Sequence, residues 1–405
     1  MKQRIQFIHE VLQDKYTFSS LCQFYNISRQ TGYAIMRRYR QEGIESLAPR
    51  SSRPLHSPGR VGEEIEELIL SWRDRYPKNP WGAKKIRPKL VEEYGESGSP
   101  SVTTIQNVLK RRGRIKPAKA RRRKPDNVYP KYAAEACNDI WTIDYKGHFR
   151  LGNGKRCHPL TVCDAKSHFI LRIKGHYHER WKVVRGELRA LFRQYGQPQY
   201  LHSDNGSCFA SIQSPRGFGR LSFWLIDHGI HPLFSDPGHP GQNGSHERMH
   251  RDLKAACCGP SCWDLRTQNR LMNTFARDYN EVRPHEELGQ VVPASIYLPS
   301  QRVYQERVAA AEYDQSQLRV LKVSANGAIR WGNKEWVSVN RALAGRYVGV
   351  KQVGERLREV YYRNFCLGSF ELADRIEPGR YYRLISSADL PQRFRDRHRR
   401  NRKGK

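Results

Sequence analysis

The chain has 405 residues, and its 72 lysines and arginines exceed its 40 aspartates and glutamates, which gives a net charge of +32. At about 150 residues per domain, this length favours two to four domains. The charge is larger than solubility requires, so the expected partner is a polyanion, and nucleic acid ranks above acidic proteins and small molecules. Hydrophobic residues make up 38% of the chain, enough for packed cores, which excludes wholesale disorder.

Membrane insertion and disulfide bonding are both disfavoured by the sequence. No stretch reaches the roughly 18 consecutive apolar residues that a membrane-spanning helix needs, and the first residues form no apolar signal segment. Nine cysteines without a CxxC pair favour reduced thiols over a disulfide framework. These features predict a cytoplasmic protein that has no membrane partner.

Residues 1–55 are predicted to form a helix-turn-helix domain that binds DNA. Apolar residues recur at helical spacing, Asn26 supplies a turn, and Ser28 is placed to cap the following helix. The inward face of that helix is predicted to consist of Ala34, Ile35 and Tyr39. The face predicted to enter a major groove consists of Arg29, Gln30, Arg37 and Arg38. The alternative is a structural three-helix unit with a solvated basic face.

A basic, proline-rich arm that includes Arg53 follows, and arms of this kind bind a minor groove or a phosphate track. Residues 56–115 repeat the helical pattern and predict a second helix-turn-helix domain, whose last helix ends near Arg111 and Arg112. These three arginines are predicted to contact DNA. Residues 116–137 are predicted to be a basic linker, which either binds phosphates or serves as a solvated tether.

The pattern of the chain changes at residue 138. Three strand-like segments are followed by a helix, a strand, a helix, a short strand and further helices, which predicts a central α/β core with a ribonuclease H-like fold over residues 138–300. A helical, charged connector is predicted over residues 301–318 and a small β-barrel over residues 319–385. The composition of residues 386–405 predicts a disordered basic tail. The expected protein is therefore multidomain, with all-α helix-turn-helix units before the core and a barrel after it.

Three acidic residues occupy informative positions in the core. Asp144 ends the first strand, Asp204 ends a later strand and Glu247 opens a helix. Carboxylates at such positions can converge at one edge of a sheet, where hard cations such as Mg²⁺ bind oxygen ligands and support phosphodiester chemistry. Each residue also has an ordinary explanation, because Asp is common in turns after strands and Glu is favoured in a first helical turn.

The segments around these acids carry a specific family resemblance. They are Trp141–Asp144, His202–Gly206, Asn243–Lys254 and Tyr279–Gly289. Together they resemble the DDE transposases and retroviral integrases, and in particular the bacterial insertion-sequence transposases with an integrase-type core. The resemblance extends over residues 138–298 and is looser in the helix-turn-helix regions and the C-terminal region.

The resemblance implies that Asp144, Asp204 and Glu247 are catalytic and hold two Mg²⁺ ions, with Mn²⁺ as a substitute. A transposase of this family binds the terminal sequences of a mobile DNA element, cleaves the 3′ end with water, and joins the freed 3′-hydroxyl to target DNA without a protein nucleophile. The implied partners are double-stranded DNA, both element ends and target, and further copies of the chain in a homodimer or higher oligomer. The implied location is the bacterial cytoplasm, at the nucleoid.

Residues near the three acids are predicted to support the reaction. Helical spacing places Arg251 and Lys254 on the same side as Glu247, where they and Arg248 are expected to bind phosphates; the alternative is a solvated face. Supporting roles are predicted for Asn205, Gly206, Asn243 and His246, the last with DNA contact or helix packing as alternatives. The segment Gly217–Gly219 is predicted to be a surface insertion.

Two other functions remain open at this level. A domesticated DNA-binding regulator would keep the fold and both helix-turn-helix domains but would not catalyse the reaction. The complete acid triad argues against this alternative. A ribonuclease H-like nuclease would hydrolyse branched DNA or a hybrid without strand transfer, and the N-terminal recognition units disfavour it.

Overall fold

The computed structural model describes residues 2–48, 60–115, 132–211, 214, 216–236, 244–259, 261–373, 375–376 and 381–385. The chain divides into two compact units, Met1–Gly62 and Glu63–Lys405. Several predictions lie outside the described residues: those for Arg53, for most of the basic linker, for Asn243 and for the basic tail. Within the described ranges, no helix combines the length and apolar character needed to cross a membrane. All nine cysteines are free thiols in the structure.

The first unit contains three α-helices and a 3-10 helix. They are α1 (Lys2–Leu12), α2 (Phe18–Phe24), α3 (Arg29–Glu42) and the 3-10 helix Ile44–Leu47. The side chain of Ser28 accepts a hydrogen bond from the backbone N–H of Thr31, so Ser28 caps α3 as predicted. Apolar side chains from all four elements share one core, among them Phe7, Leu21, Ile35 and Leu47. The helix-turn-helix prediction is confirmed.

Two details of the predicted α3 faces are wrong. Ala34 is exposed, and the inward positions are Gly32, Ile35 and Met36. The guanidinium of Arg38 does not point freely outward, because it donates hydrogen bonds to the backbone oxygens of Ser46 and Ala48. The 3-10 helix folds back onto α3 and offers these carbonyls, which otherwise lack a helical partner.

A second three-helix group begins the other unit. Its helices are α4 (Glu63–Asp74), α5 (Ala83–Gly98), which is kinked at Gly95, and α6 (Val102–Arg111). Ser101 caps α6 by accepting from the backbone N–H of Thr104. Glu66 is fully buried and accepts hydrogen bonds from Arg111 at 2.8 Å and Arg112 at 2.5 Å, so both arginines hold the helices together.

A six-stranded mixed sheet forms the centre of the second unit. Its strands are β1 (Ile140–Tyr145), β2 (Phe149–Arg150), β3 (Arg156–Asp164), β4 (Ile170–His176), β5 (Tyr200–Ser203) and β6 (His231–Phe234). The order is β2-β3-β1-β5-β6, and β4 also pairs with β3. β1 runs antiparallel to β3 and parallel to β5, and β5 runs parallel to β6. Along the chain, the predicted sequence of three strands, helix, strand, helix, strand and helices is found, with the two-residue β2 as an additional strand.

Helices cover both faces of this sheet. They are α7 (Trp181–Tyr195), α8 (Arg220–Asp227), α9 (Gly244–Cys257) and α10 (Leu265–Glu281). Leu160 and Val162 of β3 pack with α7 and α8, whereas Cys157 and Cys163 pack with α9 and α10. Successive side chains of a strand point to opposite faces, so the nearly continuous apolar run of β3 supplies two cores at once. Short 3-10 helices follow at Glu286–Leu288 and Pro293–Ser295.

The connector over residues 301–318 is not helical, so that part of the prediction is wrong. It runs along the core and is held at intervals. Glu306 accepts from both Arg189 and Arg193 of α7, and the backbone oxygen of Ala309 accepts from Arg363. An extended chain can reach such widely spaced partners, whereas a helix rises only about 1.5 Å per residue.

The C-terminal region consists of two four-stranded sheets. The strands are β7 (Arg319–Lys322), β8 (Ala328–Gly332), β9 (Glu335–Ser338), β10 (Tyr347–Gln352), β11 (Leu357–Tyr362), β12 (Phe365–Glu371), β13 (Arg375–Ile376) and β14 (Tyr381–Arg383), with a 3-10 helix at Arg341–Leu343. One sheet has the order β12-β11-β10-β7 and the other β13-β14-β9-β8. Isolated bridges at Val323–Ile329 and Ser369–Ile385 link them, but the sheets are not closed. The predicted β-barrel is therefore not confirmed.

The C-terminal sheets pack on the core through α8 and the segment before it. Phe218 is only 5% exposed and belongs to the apolar cluster of the C-terminal sheets, so the predicted surface insertion is instead a packing contact. Asp227 at the end of α8 accepts from Arg346, Tyr362 and Arg363 of the C-terminal sheets. The two regions of this unit thus share both apolar and ionic contacts.

Candidate active site

Asp144 and Asp204 lie side by side at one edge of the central sheet. β1 and β5 are adjacent and parallel, and Ile143 is paired in register with Ser203. The residues that follow this pair are Asp144 and Asp204, so each strand carries an aspartate at its carboxyl end. Two carboxylates that are distant in sequence meet because parallel neighbours end at the same edge.

The environment of Asp144 favours its protonated form. Its side chain is 25% exposed, and burial raises its pKa, with further contributions from the negative charges of Asp204 and Glu179. A hydrogen bond from the Tyr145 N–H and the charge of Lys146 act in the opposite direction. The resulting pKa is about 7. Shared negative charge of this kind indicates a place suited to a cation.

Two histidines of α9 reach into the sheet beside Asp144. The hydroxyl of Thr161 donates to the backbone oxygen of Asp144 at 2.9 Å, and lies 2.6 Å from Nε2 of His246 and 2.7 Å from Nε2 of His250. Nδ1 of His246 is 2.8 Å from the hydroxyl of Thr142. This buried network joins α9 to β1 and β3.

Both imidazoles are uncharged at neutral pH. Burial lowers the pKa of His250 to about 3, and the charge of Lys146 lowers it further. Burial also lowers the pKa of His246 well below its ordinary value. Nδ1 of His250 and Oδ2 of Asp144 are 3.6 Å apart, beyond hydrogen-bond distance, so their contact is not an ion pair of the usual kind. The histidines serve as packing and hydrogen-bonding groups here.

Glu247 does not join the two aspartates in a cluster. It lies in the first turn of α9 and its side chain is exposed. In the part of the chain that the structure describes, no group of three or more His, Cys, Asp or Glu side chains is arranged to hold a metal ion. Glu247 lies one helical turn before His250, and the ring of His250 is beside Asp144. Glu247 is therefore near the same edge of the sheet as the two aspartates.

The predicted phosphate-binding residues of α9 differ in their surroundings. Arg251 and Lys254 are exposed, in the helical positions that follow Glu247 at one and two turns. Arg248 is also exposed but forms an ion pair with Glu287 at 2.6 Å. All three side chains remain on the solvent side of the helix.

The loop after β5 is fixed around Asp204. Asn205 donates from Nδ2 to the backbone oxygen of Ser235 at 2.8 Å, and the N–H of Gly206 donates to Oδ1 of Asp204 at 2.9 Å. A Cβ on Gly206 would lie 2.9 Å from that same oxygen, so a larger residue here would shift the Asp204 carboxylate. These contacts orient the carboxylate at the sheet edge.

The helix-turn-helix positions predicted to read DNA divide into two groups. Arg29, Gln30 and Arg37 are exposed on α3. Arg38, Arg111 and Arg112 instead have protein partners, namely the carbonyls after α3 and the buried carboxylate of Glu66. Arg111 and Arg112 remain nearly half exposed, at 45% and 48% of their side chains.

Sequence reasoning missed Thr161, Thr142 and Glu179. Thr161 is opposite Asp144 in the antiparallel pairing of β1 with β3. The register of that pair is set by tertiary packing, and a lone threonine in an apolar strand carries no signal of its own. Glu179 lies in the segment that joins β4 to α7, outside the motifs that the sequence singled out.

Family models match most of the described chain. Two models described as integrase core domains match residues 134–240 and 228–293. A helix-turn-helix domain model matches residues 3–54, and a homeodomain-like domain model matches residues 31–109. The matched ranges coincide with the mixed sheet and its helices, and with the two helical groups before them.

Two relatives come from insertion elements. The insertion element IS476 39.2 kDa protein of Xanthomonas euvesicatoria is 28% identical over 165 residues, which are 40% of this chain and 45% of the relative. The insertion element IS407 31.7 kDa protein of Burkholderia multivorans is 26% identical over 160 residues, 39% of this chain and 55% of the relative. The chain thus spans about half the length of each relative.

Solved structures of retroviral integrases also match. The catalytic core domain of HTLV-2 integrase, solved in complex with magnesium, is 15% identical with a TM-score of 0.32, and the match covers 40% of this chain and 99% of that one. The catalytic core domain of BIV integrase is 22% identical with a TM-score of 0.31, and the match covers 40% and 93%. The family models and the insertion-element relatives support the resemblance predicted from the sequence: the chain carries an integrase-type core behind helix-turn-helix domains and is similar to proteins of bacterial insertion elements.

Proposed function

We propose that the chain binds the terminal sequences of a mobile DNA element and catalyses metal-dependent 3′-end cleavage and strand transfer. The observation that carries the proposal is the position of Asp144 and Asp204 at the ends of adjacent parallel strands, with the pKa of Asp144 raised by burial and by Asp204. Paired carboxylates at a sheet edge, in a chain with a net charge of +32, suit chemistry on a polyanionic backbone.

The residues at this edge fit a divalent cation. Asp144 and Asp204 present oxygen donors whose mutual repulsion a cation would relieve, and Glu247 is an exposed carboxylate on the helix beside them. These three residues would hold two Mg²⁺ ions, or Mn²⁺ as a substitute. The ions would supply activation of the attacking oxygen and stabilisation of the leaving oxygen in an in-line phosphoryl transfer.

The other residues of the site orient these carboxylates and the DNA. Thr161 and His250 restrain Asp144 through the buried network, and the N–H of Gly206 restrains Asp204. Arg251 and Lys254 follow Glu247 on the exposed side of α9, where they would bind phosphates next to the scissile bond. Arg248 could join them by exchanging its partner Glu287 for a phosphate.

DNA recognition is assigned to the helical groups. Arg29, Gln30 and Arg37 present donors from α3, the second helix of a helix-turn-helix, and would read a major groove. Arg111 and Arg112 retain exposed surface beside their contact with Glu66 and would add phosphate contacts. Joining two element ends to one target requires at least two copies of the helix-turn-helix domains. A dimer or larger assembly on DNA is therefore part of the proposal.

A strand-transfer assay tests the proposal. Purified protein is incubated with Mg²⁺ and labelled DNA that carries the sequences flanking its gene, and joined products are resolved on a denaturing gel. The wild type is expected to give joined products, and Asp144→Asn to lose at least about a hundredfold in rate, since two-metal stabilisation supplies several kcal/mol. Unchanged joining by Asp144→Asn would overturn the assignment. Tight binding of both proteins without cleavage would favour a DNA-binding regulator instead.

A further inference from the structure

A second feature of the core lies beside the paired aspartates and is used by none of the steps above. It is an open cavity of about 890 Å³ between the β2–β3 hairpin and the segment that joins β4 to α7. Its lining includes Lys155, Arg156, His158, Tyr177, Glu179 and Arg180. We refer to it as the β3 cleft. Its volume is near the upper end of the roughly 300–1,000 Å³ of ligand-binding pockets.

The β3 cleft lies close to the paired aspartates. Thr161, which faces Asp144 across the β1–β3 pairing, is three residues from His158 along the same strand. At about 3.3 Å per residue this separates the two backbone positions by roughly 10 Å along the strand, with their side chains on opposite faces. The charge of Glu179 also acts on Asp144. A strand whose phosphodiester bond is at Asp144 would therefore reach the cleft within a few nucleotides.

The cleft carries the charges that a phosphate backbone needs. Lys155, Arg156 and Arg180 are exposed cations, and Glu179 is the one carboxylate among the lining residues. Glu179 is held at the wall by His158, whose Nδ1 lies 2.7 Å from its Oε1. The cationic side chains remain on the open side of the cleft, where they can contact phosphates.

An aromatic side chain distinguishes the cleft from a simple phosphate track. Tyr177 is 40% exposed, and the Lys155 ammonium lies 5.5 Å from its ring centroid. Bases within a duplex are stacked on one another, so an exposed ring at the wall can engage only a base that is unpaired. A basic groove with an aromatic platform is the combination that binds single strands.

We propose that the β3 cleft binds an unpaired segment of DNA next to the scissile phosphodiester, with a base stacked on Tyr177 and phosphates bound by the cations of the cleft. This inference rests on the proposed DNA function of the core. It adds a preference for a frayed or tailed DNA end over a fully paired one, which the paired aspartates alone do not provide.

A binding assay without divalent metal tests the inference. The 405-residue chain is titrated, in the presence of EDTA, into fluorescein-labelled element-end duplexes that are identical except for a short unpaired tail, and the fluorescence anisotropy is followed. The wild type is expected to bind the tailed duplex about tenfold more tightly, because stacking of one base contributes about 1–3 kcal/mol. Tyr177→Ala is expected to reduce this affinity to that for the blunt duplex. Equal affinities of the wild type for both duplexes would overturn the proposal.

Matched variants separate stacking, charge and folding. Tyr347→Ala removes a tyrosine of similar exposure, 51%, from a C-terminal sheet and is expected to keep the tail preference. Arg156→Gln with Arg180→Gln is expected to lower the slope of log affinity against log salt by about 1.4 on tailed DNA, at about 0.7 per phosphate contact, with blunt DNA unaffected. If Tyr177→Ala weakened binding to both duplexes equally, the cleft would have no role in unpaired DNA.

The outcome is independent of the reaction chemistry. The binding assay contains no metal, so it reports on the β3 cleft even if strand transfer is never observed. A tail preference that depends on Tyr177, in a protein that cannot join DNA, would leave the cleft assignment standing and remove the proposed function. Joining activity without a preference for tailed DNA would support the proposed function and overturn the assignment of the β3 cleft.

Discussion

Nδ1 of His250 lies 3.6 Å from Oδ2 of Asp144, while Nε2 of the same ring lies 2.7 Å from the hydroxyl of Thr161. A single imidazole thus touches two strands of the central sheet from α9. Because Glu247 is three residues before His250 on that helix, the position of His250 also determines where Glu247 stands relative to the paired aspartates. The arrangement links the orientation of α9 to the geometry of the site.

Thr161→Val tests the importance of this link. The substitution keeps the shape but removes the hydroxyl that serves Asp144, His246 and His250. Buried groups left without a hydrogen bond cost about 1–3 kcal/mol, so a lower Tm is expected by calorimetry. The rate of strand transfer should fall about tenfold, and the Mg²⁺ concentration that half-saturates the reaction should change as well. A stable variant with unchanged joining would show that the network does not orient Asp144.

The pKa of Asp144 predicts that metal affinity depends on pH. Burial raises this pKa to about 7, aided by Asp204 and Glu179 and opposed by Tyr145 and Lys146. A divalent cation would displace the proton of the carboxyl group, so apparent Mg²⁺ affinity should fall as the pH drops through about 7, by up to about tenfold per pH unit. The measurement is the half-saturating Mg²⁺ concentration for strand transfer between about pH 8 and about pH 6.

DNA binding measured without metal over the same pH range provides the control. Metal-free DNA binding reports on titrating charges elsewhere on the surface. Its change in affinity with pH is therefore subtracted from the change in the half-saturating Mg²⁺ concentration. A half-saturating Mg²⁺ concentration that stays constant after this correction would contradict the role of Asp144 as a ligand.

Arg111 and Arg112 are expected to stabilise the second helical group. Burial alone would raise the pKa of Glu66, but hydrogen bonds from Arg112 and Arg111 outweigh it and lower the pKa overall. Replacing both arginines with glutamine leaves a buried charge without partners, at a cost of about 3–5 kcal/mol. The double variant should unfold at a lower temperature in calorimetry, and adding Glu66→Gln should recover part of the loss.

Lys110 on the same turn of α6 offers a matched control. It is exposed, so Lys110→Gln is expected to change the Tm little. If the double arginine variant kept its Tm and lost only DNA affinity, the ion pairs with Glu66 would be incidental and both residues would act as DNA contacts alone.

Lys85 of α5 is expected to reduce stability at neutral pH. Burial, followed by the charge of Arg283, lowers its pKa to about 8, and Asp252 opposes the shift only in part. The folded state therefore binds this proton more weakly than the unfolded state, so the penalty is full below about pH 8 and disappears as the pH rises through about 10.5. Lys85→Met should raise stability by about 2 kcal/mol at pH 7 and flatten the rise in Tm with pH. A lower Tm for the variant would contradict this.

The sequence predicted the parts of the fold that depend on local pattern. Ser28 was expected to cap a helix and does cap α3, and Ser101 caps α6 in the same way, because capping needs only a hydroxyl before a helical run. Asp144 and Asp204 were placed at strand ends by their position after apolar segments. That the two strands are parallel neighbours depends on the order of the sheet, which the pattern within each strand does not contain.

The failures concern contacts between distant segments. Arg38 looks outward on a helical projection, but the following 3-10 helix brings carbonyls to it. Arg112 is 46 residues from Glu66, and an alternating or helical pattern gives no sign of such a pair. In the C-terminal region the strands were recognisable, whereas closure of a barrel depends on strand tilt and stagger that the sequence does not specify.

Glu247 is expected to act with Asp144 and Asp204, although its exposed side chain does not form a cluster with them among the described residues. The most direct measurement is strand transfer with Mg²⁺ by the wild type, by Glu247→Gln, and by Glu355→Gln, which alters an exposed carboxylate in the C-terminal region. We predict joined products from the wild type and Glu355→Gln, and at least about a hundredfold less from Glu247→Gln at equal DNA binding. Equal joining by all three proteins would contradict the account.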